Sequence, residues 1–431
     1  MKAVSPQPSA VNPPRTGCLR TACAALAGAV VAAALGYGLS AAFSALGLAL
    51  VAPAADARSS TALSAARAGL NFYAIHHVRI VGHGLPGDPT GTYVSILWPI
   101  TIWAILPAAA LMLGGFVSGR LSGARGPARF SAGAWLALPY VVLLLAGRWL
   151  VSVPSAAVAL PMIPLRGTAF ELLPGALAPA AGGTVFHGLL LGIIFGGLGA
   201  IGGFGAIWRG LARPDGFWPA WARGAFLALA TGLVLFFLLL SALFAVGLSH
   251  ERRDREEMKP VEIIRIWTTL LPAGVGAADY LAHGVTLRGD IVTRTSIAGT
   301  RPVVQTYRAG LITGALAEGK TQRLPRWVFL ASLVAAVALV LGGFVAARTN
   351  PRPTPQLALA GRLAGMYALL LTALVPFFTL ALRTAITAGG TKTWTTMTLG
   401  PSAAQAFAFG LVFGFVFALI GVSIYRQNAR A

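Results

Sequence analysis

The sequence predicts an all-α polytopic membrane protein: eight transmembrane helices as two parallel four-helix repeats, with a small extracytoplasmic α/β cap. Three observations predict it. The chain is 56% hydrophobic and only 10% charged, where a soluble domain carries roughly 25% charged residues. Eight apolar runs reach the length of about 20 residues that a bilayer crossing needs. Short motifs of the first half recur, in the same order, in the second. A chain this apolar would expose too much greasy surface in water. In lipid, a helix satisfies its own backbone groups.

The elements follow in order. Residues 1–17, with Pro6, Pro8, Pro13 and Pro14, read as a disordered cytoplasmic tail. The run Thr21 to Val51 ends in "VAPAADA", small residues that suit a signal-peptide cleavage site. It is far longer than the roughly 7–15 residues of a signal core, so it reads as a retained span. Cys18 and Cys23 fall at its start with no metal-ligand spacing. The spans read as 21–51, 94–117, 132–152, 185–207, 224–248, 327–347, 363–384 and 403–425. They divide into a first repeat at 18–210 and a second at 211–431, the second including the cap at 249–326. Between the first and second spans, and again between the fifth and sixth, lies a helix-like stretch (60–76 and 261–283) that is interfacial or re-entrant. Each leads into a strand-like piece, "HVRIVG" or "GVTLRG"; "DIVTRTSIAG" and "PVVQTYR" add the alternation of a β-ribbon.

Charge orients the chain. Outside the long loop at 249–326, most basic residues sit in the tail, in the loops that follow even-numbered spans and at the C-terminus, such as Arg120, Arg125, Arg129, Arg348, Arg352 and Arg426. The positive-inside rule then puts both termini in the cytoplasm of a cell-membrane protein. Anionic lipid headgroups are the expected partners of these arginines, and no nucleic-acid role is needed to explain them. An excess of Arg over Lys with abundant Ala and Gly points to a bacterial source.

Four matches carry the duplication. "GGFVSGR" (114–120) recurs as "GGFVAAR" (342–348), and "GLLLGIIFGGLG" (188–199) as "GLVFGFVFALIG" (410–421). Tyr73-x-x-His76 recurs as Tyr280-x-x-His283 within longer matching stretches, and Arg148 and Arg383 read as late positions of the third and seventh spans. The second match preserves a four-residue period of small residues, Gly188, Gly192 and Gly196 against Gly410, Gly414 and Ala418. Such a stripe lets another helix approach closely. It predicts that the fourth and eighth spans make the tightest helix contacts, mutual packing being one arrangement. The Gly-x-Gly-x-x-Gly ending at Gly202 is then a by-product of glycine abundance inside a span, with no dinucleotide site attached.

The stretches "AGLNFYAIHHVRIVGHG" (68–84) and "GAADYLAHGVTLRG" (276–289), each behind a long span, resemble the actinobacterial PerM-type polytopic membrane proteins. The resemblance covers about one-tenth of the chain and implies a role in cell division or envelope maintenance, with no reaction attached.

Chemistry is sparse. None of the eight runs contains Asp or Glu, whereas proton relays put acids or histidines inside the bundle. All six histidines fall on the outer side, among them His187, His76 and His283; metal binding and a structural role for the Tyr–His pairs are the two readings, and the spacing favours the second. Arg148 and Arg383 either snorkel to the interface or line an outer vestibule for an anion or lipid headgroup. "GALAEGKT" (314–321) matches the P-loop pattern but lacks its strand and helix context, and reads as an exposed turn. No catalytic, metal or cofactor residue is expected. The reading that follows is a non-enzymatic membrane protein supporting an envelope or division-linked assembly, with envelope proteins as partners. The alternative is a permease or lipid-handling protein with a pathway along a pseudo-twofold between the repeats.

Overall fold

The computed structural model describes residues 16–50, 52–53, 60–84, 93–125, 128–154, 158–159, 175–202, 219–251, 260–297, 300–310, 314–317, 320–322, 329–350, 354–388 and 391–429. Most of the tail, the loop holding Asp215, and Glu318 and Gly319 of the P-loop-like match lie outside them.

Eight helices are long and apolar enough to cross a membrane: Cys18–Ala45, Ile102–Ser122, Ala128–Leu150, Ala181–Ala200, Ala220–Val246, Ala331–Arg348, Gln356–Phe378 and Ala403–Asn428. The chain is a multi-pass membrane protein. Helix α1 (Thr16–Ala45) is the first span. Strand β1 (Ala52–Pro53) precedes the short α2 (Thr61–Ile75), whose N-terminus is capped by the Ser60 hydroxyl accepting from the Leu63 amide. Strands β2 (Ile80–Gly84) and β3 (Tyr93–Leu97) lead to α3 (Ile105–Ser122), most of the second span. Helices α4 (Ala128–Ala134) and α5 (Ala137–Leu150) make the third. Strands β4 (Val153–Pro154), β5 (Val158–Ala159) and β6 (Gly175–Pro179) follow. The fourth span is α6 (Ala181–Leu191), a π-helical turn at Gly192–Gly196, and α7 (Gly197–Ala200).

The second half keeps this order. Helix α8 (Ala220–Glu251) is followed by α9 (Pro260–Ala282), β7 (Leu287–Thr295) and β8 (Val303–Gly310). Two short strands, β9 (Gly314–Ala317) and β10 (Lys320–Gln322), come before α10 (Ala331–Arg348) and α11 (Gln356–Leu374). Strands β11 (Leu380–Ala388) and β12 (Thr391–Pro401) precede α12 (Ala403–Asn428), capped by Ser402.

The helical expectation holds for the eight spans, but beside them stands a ten-stranded antiparallel sheet, far larger than a small cap, in the order β10-β9-β8-β7-β12-β11-β3-β2-β6-β4. Every strand follows an odd-numbered span, so all lie on one side of the bundle. The sheet is not confined to 249–326. It draws on both halves, and β3 and β11 occupy residues read as the ends of the second and seventh spans. The cause is burial. Strand β3 sits between β2 and β11, with Val94 and Ile96 fully buried, and a strand covered on both faces reads as an unbroken apolar run. The P-loop-like residues form an antiparallel pair, Lys320 opposite Ala317, rather than a turn leading into a helix.

The halves meet at β3 and β11, where Ile96 faces Leu382 and Ser95 faces Arg383. A two-fold axis through the joint would bring the same strand together from each half. Here the last strand pair of one half adjoins the first pair of the other, so the joint is head-to-tail. Each half has its own core, one around Leu70, Leu111 and Tyr140, the other around Tyr280, Leu339 and Tyr367.

Small residues set the helix spacing. A methyl on Gly192 would lie 2.8 Å from Ala137 Cα, and one on Gly414 would lie 3.3 Å from Ala364 Cα. Gly188 faces Val141, Gly410 faces Ala368, and the backbones at Gly196 and Ala418 meet Gly115 and Gly343. The stripes of the fourth and eighth spans thus rest on the second and third, and the sixth and seventh, spans of their own halves. Mutual packing of these two stripes is corrected by this arrangement. Close packing does not single out these spans either: Gly28 approaches Gly114, and Gly224 approaches Gly342, in the same way.

Candidate functional site

Helices α2 and α9 turn back into the helix bundle, each along a span of its own half, and in that sense are re-entrant. Residues Arg67 to Ile75 are buried without interruption, which a helix lying on a surface could not achieve. Along α2 the neighbours run backwards through the third span: Gly69 packs on Val151, the Tyr73 hydroxyl donates to the Leu144 carbonyl at 2.5 Å, and His76 meets Tyr140. Along α9 the same descent is made on the seventh span. Gly276 packs on Phe378, the Tyr280 hydroxyl donates to the Leu371 carbonyl at 2.6 Å, and His283 meets Tyr367.

The two histidines have one geometry. His76 Nδ1 lies 2.6 Å from the Phe72 carbonyl and Nε2 lies 2.6 Å from the Tyr140 hydroxyl. His283 Nδ1 lies 2.7 Å from the Asp279 carbonyl and Nε2 lies 2.8 Å from the Tyr367 hydroxyl. A carbonyl only accepts, so Nδ1 carries the hydrogen in each neutral ring, and each tyrosine donates to Nε2. A buried polar ring with both nitrogens satisfied joins the re-entrant helix to the span beside it. Tyr140 and Tyr367 were not singled out in the sequence. Their signal is a shared pattern, "LPYVVLLL" and "AGMYALLL", a tyrosine leading an aliphatic run in the third and seventh spans.

Two differences break the correspondence. The residue one turn before the histidine is Phe72 in the first half and Asp279 in the second. Asp279 is 2% exposed, and its Oδ1 has no hydrogen-bond partner. It lies outside the eight spans, which the sequence reads as free of acids, yet it is buried inside the bundle.

The second difference is the residue after the histidine. Both re-entrant helices end in the same reversal, with Val78 N bonded to Tyr73 O and Val285 N to Tyr280 O, which requires a left-handed residue. The second half supplies Gly284 (φ 83°), the first His77 (φ 59°). A non-glycine there costs of order 1 kcal/mol. His77 reaches the other half instead: its Nε2 lies 3.1 Å from the Pro376 carbonyl and its ring is 5.3 Å from that of Phe377. His187 stands 5.1 Å from His77 and 6.4 Å from Phe377, ring to ring. Burial, and the nearby His187, push the His77 imidazole down to about 4.

The arginines part company. Arg148, at the end of α5, donates from Nε to the Pro179 carbonyl at 2.6 Å and so fastens the end of β6. Arg383 is an exposed residue of β11 rather than a late residue of the seventh span. It does not mirror Arg148, and the strand boundary at Leu380 is the reason. By register, Arg383 shares the sheet face of Arg288, Arg294 and Arg308. On that face Arg288 pairs with Asp290 at 2.6 Å. Among the described residues no group of three or more metal-ligating side chains gathers. No protein-family model, curated protein or solved structure matches the chain.

Proposed function

We propose that the chain is a tandem duplication of a four-span unit in the cell membrane, with both termini in the cytoplasm and the sheet outside. We propose that it acts without catalysis, as a support for an envelope or division-linked assembly. The observation that carries this reading is the sheet: strands of both halves form one surface, and one of its faces bears exposed Arg288, Arg294, Arg308 and Arg383. Such a face suits acidic segments of envelope proteins, because like-charged arginines steer anionic partners toward them. The resemblance of the two Tyr-x-x-His stretches to PerM-type proteins points the same way.

The test is crosslinking in native membranes. Photo-crosslinkers on β7 and β8 are expected to capture envelope proteins, and the adducts should fade when Arg288 and Arg308 are changed to Glu. Adducts unchanged by charge reversal, or crosslinks to lipid alone, would overturn the reading. A second reading, a permease or lipid-handling protein, is favoured by Asp279, since an ionisable group inside a bundle is what ion-coupled transport uses.

A further inference from the structure

We propose that Asp279 and His283 form a proton-binding site inside the second half, which takes up and releases one proton. The site goes beyond the assembly reading and rests on the geometry of α9 and the helices packed against it.

Asp279 Oδ1 lies 3.7 Å from His283 Nδ1, with the two side chains 2% and 0% exposed. The carboxyl group is removed from water, and Oδ1 accepts no hydrogen bond. An ionised carboxylate there is costly unless a positive charge or a proton compensates it. The groups facing the pair come from four helices. Tyr280 is on α9 itself, and its hydroxyl is committed to the Leu371 carbonyl. Helix α11 presents Tyr367, α12 presents Phe413, and α8 presents Gly232. A methyl on Gly232 would lie 3.4 Å from Asp279 Oδ1, so the glycine brings α8 up to the carboxylate. Among the described residues, these neighbours include no cation to neutralise Asp279 except His283 once protonated.

The proton balance is simple. In the deprotonated form Asp279 is a carboxylate and His283 is neutral, with hydrogen on Nδ1, for a net charge of −1. One proton enters from solvent and brings the pair to zero. It rests on the carboxylate, or on His283 Nε2. In the second case Tyr367 must turn from donor to acceptor, because Nε2 now donates to its oxygen. Proton occupancy is therefore read out at the hydrogen bond that ties α9 to α11. The first half cannot do this: Phe72 stands where Asp279 does, its ring 4.4 Å from that of His76.

The experiment is an infrared pH titration of the full chain in lipid nanodiscs, in H2O and D2O, over the whole pH range in which the protein stays folded. The expected result is a deuterium-sensitive carboxylic-acid band, or imidazolium bands with loss of a carboxylate band, that grows as pH falls. Asp279→Asn should abolish it and should bind one proton fewer per chain over the same range. Superimposed proton-uptake curves for the wild type and Asp279→Asn would overturn the proposal. Tyr367→Phe provides a second route should Asp279→Asn not fold. Its expected effect is a shifted midpoint of the same spectral change, and an unmoved midpoint would overturn the proposal as well. Failure here leaves the sheet crosslinks untouched, so the two readings fail separately.

Discussion

Tyr367 gives its hydroxyl hydrogen to His283 across 2.8 Å, and in doing so fixes a re-entrant helix against the middle of a transmembrane one. Tyr140 does the same for His76 at 2.6 Å. Removing either hydroxyl leaves a buried imidazole nitrogen unpaired, at a cost of about 1–3 kcal/mol. Tyr140→Phe and Tyr367→Phe should each lower the unfolding temperature in detergent. Measured side by side by thermal denaturation, neither should be silent.

Glycine tolerance should follow backbone proximity. A methyl on Gly115 would overlap the Gly196 carbonyl, and one on Gly343 would overlap the Ala418 carbonyl; near Gly365 nothing lies within 4 Å. Gly115→Ala and Gly343→Ala should therefore lower the yield of folded, monodisperse protein sharply. Gly365→Ala should leave it unchanged or raise it, since alanine favours a helix by about 0.8–1.0 kcal/mol. Gly192→Leu and Gly414→Leu should impair assembly too. Size-exclusion chromatography after membrane extraction measures all five.

Acid should loosen the joint between the halves. His77 is held at about 4 in the fold, below the ordinary 6.5. The unfolded chain therefore binds the proton more readily between these values. The stability is present above about pH 6.5 and is lost as pH falls toward about 4. His77→Asn, which tolerates the left-handed backbone, should flatten that part of a stability–pH curve recorded by thermal denaturation. An equally steep curve in the variant would count against a role for His77.

The two arginines should separate in the same assay. Arg148→Gln loses a charged hydrogen bond to the Pro179 carbonyl, a loss of about 1.5–3 kcal/mol. Arg383→Gln, at an exposed strand position, should stay within about 0.5 kcal/mol of the wild type.

Much of this architecture was legible because lipid imposes simple rules. Every span overlaps its apolar run, and the paired Tyr-x-x-His stretches marked both re-entrant helices. The sheet was harder to read. Strands β3 and β11 are apolar and abut spans, so no polar boundary told them from helix, and the pairing of residue 96 with residue 382 leaves no local trace. Asp279 was missed for a related reason. Helix α9 carries enough polar residues, Thr268, Thr269 and Asp279 among them, not to stand out as a long apolar run, so its acid reads as part of an outer segment. Tyr140 and Tyr367 lie far along the chain from His76 and His283, so only the fold joins each pair.

The head-to-tail joint also has an arithmetic. A contact between unlike ends does not close on itself, and copies joined that way could in principle extend without limit, as in an open filament. Among the described residues, the sheet is closed off at both edges. In the first half, β3 is covered by β11; in the second, the equivalent strand β8 is covered by the extra hairpin β9–β10. At the far end the sheet finishes in β4, only two residues long and containing Pro154, a poor template for another strand. Strands β9 and β10, drawn from the stretch that resembles a phosphate-binding loop, thus occupy the sheet edge at which a further head-to-tail unit would have to join.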